Sequence, residues 1–356
     1  MTRWHKGFLA LGALALAITF AAGAAAACGG GEETPTEVVL VTHDSFMVSD
    51  GVKAAFERES GFALRILQSG DASEMLTKAL LTAGNPQGDV LFGVDDNLLS
   101  RALDGDLFEA YESPGLADVD GRYLLDREHR VTQIDHGEVC LNYDKGWFAE
   151  RGVTPPESLE DLVSPRYRGL LVVESPATST PGLAFLLATI AHFGEDGWQG
   201  FWRRLRANDV LVVDGWEEAY TARFSGGAGS RGDRPIVVSY ASSPPAEVYY
   251  RSPRPTEAPT AVVESSCYRQ VELAGVLRGS RNEQGARELI DFLLSKRFQE
   301  DIPLSMFVFP VNREAALPPV FERFAVVPAD PLELPPGEVE ANRDDWIDEW
   351  TRIVLR

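Results

Sequence analysis

Metal-binding and nucleophilic side chains are scarce in this chain of 356 residues, which contains 3 cysteines and 5 histidines. The sequence has no Cys-X-X-Cys pair, no His-Glu-X-X-His segment, no phosphate-binding glycine loop and no Ser-His-Asp order. Those motifs position the ligands and nucleophiles of common zinc, nucleotide and hydrolase sites. We therefore expect neither a metal site nor a cofactor, and the motifs do not indicate an enzyme.

Positive charge is also in short supply, with 33 lysine and arginine residues against 54 aspartate and glutamate residues and a net charge of −21. A surface of this sign repels phosphate backbones, so we exclude nucleic acid as a partner. The same field attracts a small cation, although an acidic surface is usually only a solvated one.

Long apolar runs are missing except at the N terminus. There Arg3 and Lys6 precede an apolar stretch that ends in small residues before Cys28. This pattern is typical of a secretory signal peptide, residues 1–27, and not of a membrane span. The small residues before Cys28 resemble the lipobox of bacterial lipoproteins, so we expect an extracytoplasmic protein that a lipid on Cys28 anchors to the cell membrane. Residues 28–37, rich in glycine and glutamate, predict a flexible tether.

From Val38 onward the chain alternates between strand and helix patterns. Short apolar, β-branched runs near 38–42, 62–68 and 89–95 are separated by segments with helical apolar spacing. The resulting β-α-β-α-β order predicts a parallel sheet, whose ligands bind at the carboxyl ends of its strands. Those strand ends carry the polar segments "THDS", "SGD" and "GVDD".

A second unit with the same alternation begins near His136 and contains "SPATSTPG" at 175–182. This turn places three hydroxyl side chains before an apolar helix, whose first N–H groups could hold an anion or a polar ligand. An ordinary capped helix is the alternative interpretation. Farther along, residues 225–235 predict an exposed loop, and the apolar spacing predicts one helix over 283–302.

Eight segments, taken in order, resemble the thiamine-binding proteins of bacterial ABC import systems. They extend from about Val38 to the C terminus and read "THDSF", "GVDDNLL", "TSTPGLAFLL", "GWEEAY", "VVSYASSP", "YRQVELAGV", "FVFPV" and "EVEANRDDWIDEWTRIVLR". The resemblance implies the α/β fold of type II periplasmic binding proteins: two lobes, each a mostly parallel sheet flanked by helices, joined by two hinge strands. It also implies a monomer that captures thiamine or a thiamine phosphate and delivers it to an ABC permease.

Carried onto this chain, the resemblance assigns residues 38–135 and 271–356 to the first lobe and residues 136–270 to the second. The C-terminal helix could pack on either lobe. Trp216, Tyr240 and Phe307 match the family's ligand-binding aromatic residues, and stacking or cation–π contact with a flat cationic ring is worth roughly 0.5–2 kcal/mol each. Tyr249 could cover the pyrimidine, and its neighbour Tyr250 is the alternative. Simple core packing is the other interpretation of any one aromatic residue.

The polar ligand-binding residues implied by the resemblance come from both lobes and comprise His43, Asp44, Ser45, Asp71, Ser179 and Thr180. Ser179 and Thr180 would hold the tail or phosphate end of the ligand. Asp71 would accept from the pyrimidine amine or offset the thiazolium charge, and it could equally be the N-cap of the following helix. Asp95 and Asp96 are interpreted as a cap before "NLLSRAL", and contact with the ligand is the alternative.

Two other functions on similar folds remain open. Ferric-ion-binding proteins ligate iron through adjacent tyrosines, and Tyr249 and Tyr250 with His43 are candidates, although no carboxylate stands at a recognisable iron-ligand spacing. Thiaminases use a cysteine nucleophile, but Cys140 and Cys267 fall in the implied hinge strands, away from the ligand-binding turns.

Once Cys28 is assigned to lipidation, two cysteines are left, Cys140 and Cys267. An export signal favours a disulfide between them. The resemblance places both on the second-lobe side of two antiparallel hinge strands. Neighbouring strands lie about 5 Å apart, close enough for a bridge. Two buried free thiols on adjacent strands are the alternative.

Overall fold

The computed structural model describes residues 36–356. The predicted signal peptide and Cys28 therefore lie outside the described residues. The predicted tether meets the structure only at its end, because the first strand begins at Glu37. Residues 36–356 belong to one compact unit. Within residues 36–356 no helix is both long enough and apolar enough to cross a lipid bilayer.

The described residues contain ten strands that belong to one sheet. They are β1 (Glu37–Thr42), β2 (Ala63–Gln68), β3 (Val90–Asp95), β4 (Phe108–Glu109), β5 (Thr132–Asp144), β6 (Leu171–Glu174), β7 (Leu211–Val213), β8 (Ile236–Tyr240), β9 (Thr260–Leu277) and β10 (Phe309–Pro310). The spatial order is β2-β1-β3-β9-β5-β8-β6-β7, with β10 paired to β5 and β4 paired to β9.

Twelve α-helices of the described range cover this sheet. They are α1 (Asp50–Ser60), α2 (Ala72–Leu81), α3 (Leu99–Asp104), α4 (Lys145–Arg151), α5 (Thr180–Phe193), α6 (Trp198–Ala207), α7 (Pro244–Tyr249), α8 (Glu283–Leu294), α9 (Lys296–Gln299), α10 (Ile302–Ser305), α11 (Pro319–Phe324) and α12 (Pro336–Val354). A π-helical segment, Glu218–Arg223, follows β7.

The first part of the sheet consists of β1, β2 and β3, which are parallel as the alternating sequence pattern predicts. Val38 and Leu40 of β1 have no exposed surface, because helices cover the sheet and strands of such layered parallel sheets are buried on both faces. α2 begins after Asp71, whose side chain accepts from the Ala72 N–H. The N-cap interpretation of Asp71 is therefore correct.

The second part of the sheet consists of β6, β7 and β8, which are also parallel. α5 follows β6 and is buried from Thr180 to Ile190. A helix that is apolar on all faces is stable only when protein surrounds it, and here α6 and the central strands pack against α5.

The centre of the sheet is formed by β5 and β9, two long antiparallel strands that pair Asp135 with Glu272 and Gly137 with Gln270. They run between the first part and the second part, where the resemblance places the hinge strands. The pairing shifts register beyond Val139. At this irregularity the sulfur atoms of Cys140 and Cys267 are joined at 2.04 Å, with the Cα atoms 4.2 Å apart.

One helix prediction is wrong. The single helix predicted over 283–302 is divided into α8, α9 and the start of α10. Ser295 has extended backbone angles, and its hydroxyl accepts from the Phe298 N–H. A serine side chain can satisfy a free N–H at a helix start, so Ser295 ends one helix and caps the next.

The C-terminal helix α12 contacts both parts of the molecule. The Trp350 ring packs against Trp202 of α6, with the ring centroids 5.4 Å apart. Arg343 Nη1 donates to the Asn97 carbonyl oxygen beside α3, at 3.0 Å. The helix thus packs on elements from both predicted lobes, and not on one of them alone.

Candidate functional site

A cavity of about 250 Å³ lies at the carboxyl ends of the parallel strands, between the first part and the second part of the sheet. Turns that follow β1, β2, β6 and β7, together with the end of β8, supply its walls. Seven of the ten side chains predicted to bind a ligand line it: His43, Ser45, Asp71, Thr180, Trp216, Tyr240 and Phe307.

The other three predicted side chains do not line the cavity. Asp44 is exposed, and its backbone N–H donates to the Gly70 carbonyl oxygen. Ser179 is fully buried at the start of α5. The Tyr249 ring lies beneath the Arg254 guanidinium, 4.8 Å from ring centroid to Cζ, and its neighbour Tyr250 lines the cavity instead.

Aromatic rings form one wall of the cavity. The Trp216 ring is stacked on Tyr220, with centroids 5.0 Å apart and an interplanar angle of 14°. Its indole N–H donates to the Ser239 hydroxyl at 2.9 Å. Tyr240 lies edge-on to Trp216 at 6.4 Å, and its hydroxyl donates to Gln270 Oε1. These bonds fix the orientation of the rings, so a flat ligand meets a preformed surface.

Asp71 connects the two parts of the sheet at this cavity. Its carboxylate accepts from Ala72 N at 2.7 Å within its own helix. It also accepts from Thr180 N at 3.3 Å and from Trp216 N at 3.2 Å, both in turns of the second part. Burial raises the pKa of Asp71 to about 6, so the group is mostly ionised at neutral pH.

His43 and Glu272 meet at the base of the cavity. His43 Nδ1 lies 2.9 Å from the Ser45 hydroxyl, and Nε2 lies 3.5 Å from Glu272 Oε1. Burial lowers the pKa of His43 to about 4, so the ring is neutral at neutral pH. Gly93 permits this position, because a Cβ on it would lie 2.3 Å from His43 Cδ2.

Glu272 faces the cavity beside a second buried carboxyl group, Asp135, its partner across the strand pair. Burial, with the nearby Asp135, raises the pKa of Glu272 well above its usual range. Neighbouring carboxyl groups in a site of low polarity hold protons, or a cation, more tightly than separate groups do. The strand pair therefore presents an electronegative floor to the cavity.

Phe307 lies at the mouth of the cavity in a left-handed backbone conformation, with φ of 55°. This region is unfavourable for a bulky side chain. Two bonds hold it there: its N–H donates to the Ile302 carbonyl oxygen, and its own carbonyl accepts from the Ser242 hydroxyl at 2.6 Å. In this conformation the ring centroid of Phe307 lies 5.5 Å from that of Tyr250.

Sequence reasoning missed seven polar or charged side chains of the cavity: Glu217, Tyr220, Thr221, Ser243, Glu247, Glu272 and Ser305. The Tyr220 hydroxyl donates to Glu247 Oε1 at 2.9 Å, and Arg251 approaches the other carboxylate oxygen at 3.4 Å. The segment "GWEEAY" contained a signal for Glu217 and Tyr220, since it is an acidic, aromatic turn directly after a strand. The predicted exposed loop is partly wrong, because Gly227 and Ala228 also line the cavity.

Asp95 has a structural position in this arrangement. It is fully buried, accepts from the Leu98 N–H at 3.1 Å, and also accepts from Gln270 Nε2 at 2.8 Å. Leu98 is the N-cap of α3 and makes no side-chain cap bond, so Asp95 caps the turn before α3 and not the helix itself. Asp96 accepts from the Val271 N–H, so its interpretation as a cap is wrong. Residues 36–356 contain no group of three or more His, Cys, Asp or Glu side chains placed to hold a metal ion.

Comparison with known proteins gives consistent matches. The family described as "Bacterial extracellular solute-binding protein" matches residues 85–330. The thiamine-binding periplasmic protein of Escherichia coli K12 is 32% identical over 324 residues, which cover 90% of this chain and 94% of that protein. A solved structure titled "Periplasmic thiamin binding protein" superposes with a TM-score of 0.79 at 30% identity, covering 92% of this chain and 98% of that one.

A ferric-ion-binding protein from Campylobacter jejuni also shares the fold. Its TM-score is 0.68 at 17% identity, covering 89% of this chain and 99% of that chain. Identity this low is evidence for the fold alone.

The two parallel parts joined by β5 and β9, with a cavity between them, define a solute-binding protein of the type II periplasmic-binding-protein class. The chain belongs to the family of bacterial extracellular solute-binding proteins.

Proposed function

We propose that this protein captures thiamine outside the cytoplasm and delivers it to an ABC import permease. The observation that carries the proposal is a cavity that combines fixed aromatic rings with four carboxyl groups, Asp71, Glu217, Glu247 and Glu272, and has no lysine or arginine among its described lining residues. The relatives whose names state that they bind thiamine support the same ligand.

The chemistry of the cavity suits thiamine. The aminopyrimidine is flat and donates hydrogen bonds, and the thiazolium ring carries a permanent positive charge. Trp216 and Tyr240 offer ring faces for stacking and cation–π contact. Asp71 lies in the same cavity and can offset the positive charge, because low polarity strengthens the attraction between a carboxylate and a cation.

In this proposal two lobes close on the ligand. One lobe consists of residues 38–135 and 271–356, and the other consists of residues 136–270. The position of Asp71 supports this motion, since its side chain accepts from backbone groups of Thr180 and Trp216 across the cavity. Hinges in such closures are a few positions in the connecting segments, which here are β5 and β9.

The proposal also includes attachment of the protein to the cell membrane. A lipid on Cys28 would hold the protein at the cell membrane as a monomer, which is the state in which it would meet the permease.

A thiaminase-like reaction would need a free cysteine at the ligand. The bonded sulfur atoms of Cys140 and Cys267, neither of which lines the cavity, favour binding over catalysis.

A thermal-melting series tests the ligand. A ligand that binds only the folded state stabilises it by about 2.7 kcal/mol at a concentration of 100 times Kd, which corresponds to a rise in Tm of about 4 °C for a domain of this size. We expect this rise with thiamine and none with ferric citrate. A rise with ferric citrate, together with a purple tyrosinate–iron absorption band, would support the iron-binding alternative instead.

A further inference from the structure

Two segments of the cavity wall come from distant parts of the chain and are joined by a carboxylate outside the cavity. The turn between β1 and α1 contributes Met47, whose side chain is 59% exposed. The end of α10 and the residues after it contribute 305–308. Asp301 does not line the cavity, but it contacts both segments, one of them through Ser49, 252 positions away in the chain.

Oδ2 of Asp301 accepts one hydrogen bond from each segment. The Ser49 N–H donates to it at 2.9 Å, and the Ser305 hydroxyl donates to it at 2.9 Å. Ser49 is the N-cap of α1. The N–H of an N-cap residue often binds a glutamate or glutamine three positions farther along the chain. That position is Val52 here, so a more distant residue, Asp301, supplies the acceptor.

The side chain of Asp301 does not cap its own helix. Asp301 is the N-cap of α10, yet its side chain makes no hydrogen bond to the N–H groups of that helix. An aspartate at an N-cap normally accepts from the second or third N–H of the helix that it precedes. The carboxylate instead connects the start of α1 with the end of α10, which is a contact between two segments of the cavity wall.

The segment after Ser305 has a conformation that needs support from its surroundings. Met306 and Phe307 follow Ser305 and line the cavity. Phe307 has a φ of 55°, which is unfavourable for a bulky side chain and persists only where neighbouring contacts hold it. The Ser242 hydroxyl holds the Phe307 carbonyl oxygen on one side. Asp301 holds Ser305, two positions before Phe307, on the other side of the strained residue in the chain.

We propose that Asp301 is a positioning residue for thiamine binding. It joins the Ser49 N–H to the Ser305 hydroxyl and thereby orders Met47 and Phe307 before the ligand arrives. Side chains that are already ordered lose less conformational entropy when a ligand binds, so their order contributes to affinity. This inference rests on the proposed function.

Methionine methyl groups report on this positioning without any ligand. Met47 and Met306 lie on the two joined segments, and Met75 has no exposed surface. We expect NMR relaxation of isotope-labelled methionine methyl groups in the purified full chain to show faster motion of Met47 and Met306 in Asp301→Ala, with Met75 unchanged. Unchanged motion of Met47 and Met306 overturns the inference.

Calorimetric titration with thiamine tests the effect of this order on binding. We expect Asp301→Ala to raise the Kd by about threefold to tenfold, because the cavity wall must become ordered when the ligand binds. Asp301→Asn should bind thiamine as tightly as the unmodified protein, since its amide oxygen can accept both hydrogen bonds without the charge. An unchanged Kd in Asp301→Ala contradicts the inference. Equal losses in the two variants also contradict it, because they would assign the effect to charge.

Asp120→Ala is the matched control. Asp120 is also a half-buried acidic residue that accepts a backbone N–H, from Arg122 at 3.0 Å, and it does not line this cavity. This variant should keep the Kd of the unmodified protein. A rise of the same size as in Asp301→Ala would show a general effect of a lost carboxylate and overturn the inference. Failure of the unmodified chain to bind thiamine would refute the proposed function, whereas the methyl groups would still show whether Asp301 orders the cavity wall.

Discussion

Trp216 has more roles in the site than any other single residue. Its backbone N–H reaches Asp71, its indole N–H donates to Ser239, and its ring stacks on Tyr220. The aromatic face left toward the cavity is partly desolvated, which is where stacking contributes most.

Replacement of this ring should therefore weaken binding. We expect Trp216→Ala to reduce thiamine affinity by about 1–3 kcal/mol, measured by calorimetry. Trp147→Ala is the matched control, because Trp147 is also partly buried but packs under Arg151 on α4 and does not line the cavity. Equal affinity of the two variants would mean that Trp216 only packs in the core.

The ionisation of Asp71 predicts how binding depends on pH. Burial raises its pKa to about 6, and the other acidic groups facing the cavity, Glu217, Glu247 and Glu272, also have raised pKa values. A cationic ligand favours the ionised forms. The contribution of Asp71 to affinity is therefore present above its pKa and is lost as the pH falls through it.

We expect the Kd for thiamine to rise as the pH is lowered from about 8 to about 5.5, by up to about tenfold per pH unit for each group that must lose a proton. Titration in buffers of different ionisation enthalpy should also show protons released on binding near pH 6. The Asp71→Asn variant should lose part of this dependence. A pH-independent Kd in the unmodified protein would show that these carboxyl groups do not neutralise the ligand.

At the scale of elements, β5 and β9 carry both the cavity floor and the cysteine pair. Asp135 and Glu272 pair across these strands, and farther along the same pair Cys140 is bonded to Cys267. Both sulfur atoms belong to residues with no exposed surface. The chain between them spans 127 positions, so in the chain-entropy model the bridge contributes on the order of 4–5 kcal/mol, an upper figure.

Mass analysis of the exported protein checks this bridge. Alkylation of denatured protein without reductant should add no alkyl group at Cys140 or Cys267, and alkylation after reduction should add one at each. Two added groups on these residues in the unreduced sample would show that the bridge does not form in the cell.

The strands and most helices of this fold were predictable from sequence, because the local pattern of apolar residues specifies them. β1, β2 and β3 are apolar runs, and α1 and α2 have helical spacing with side-chain caps, so pattern and propensity agree. The break at Ser295 was not predicted, because apolar spacing continues through it and only the hydroxyl bond to Phe298 N shows the division.

The site was predictable where the family resemblance and the end of a predicted parallel strand agree, as with His43 and Asp71, and Trp216 was assigned through the resemblance. Glu272 and Glu247 lie elsewhere, one within a strand and the other in a short helix. Whether such a side chain faces a cavity depends on strand register and helix rotation, as in the pairing of Glu272 with Asp135. The role of Thr180 was also unpredictable, since its N–H is occupied by a residue 109 positions earlier.

At the scale of the whole molecule, the described residues form a unit that the proposed lipid on Cys28 would hold at a membrane surface. Replacement of Cys28 by serine should remove the acceptor sulfur and move the protein from the membrane pellet to the soluble extracytoplasmic fraction. An Asp50→Asn variant serves as control, because it changes an exposed residue and leaves the lipobox unchanged. Retention of Cys28→Ser in the pellet would show that another segment anchors the protein.

The most direct test of the account is a calorimetric titration of the full chain with thiamine at neutral pH. The cavity between the two parts of the sheet predicts saturable binding with one thiamine per chain, and the same titration with ferric citrate should give no binding heat. Absence of saturable thiamine binding, or binding of ferric ion in its place, would contradict the assignment of this cavity to thiamine.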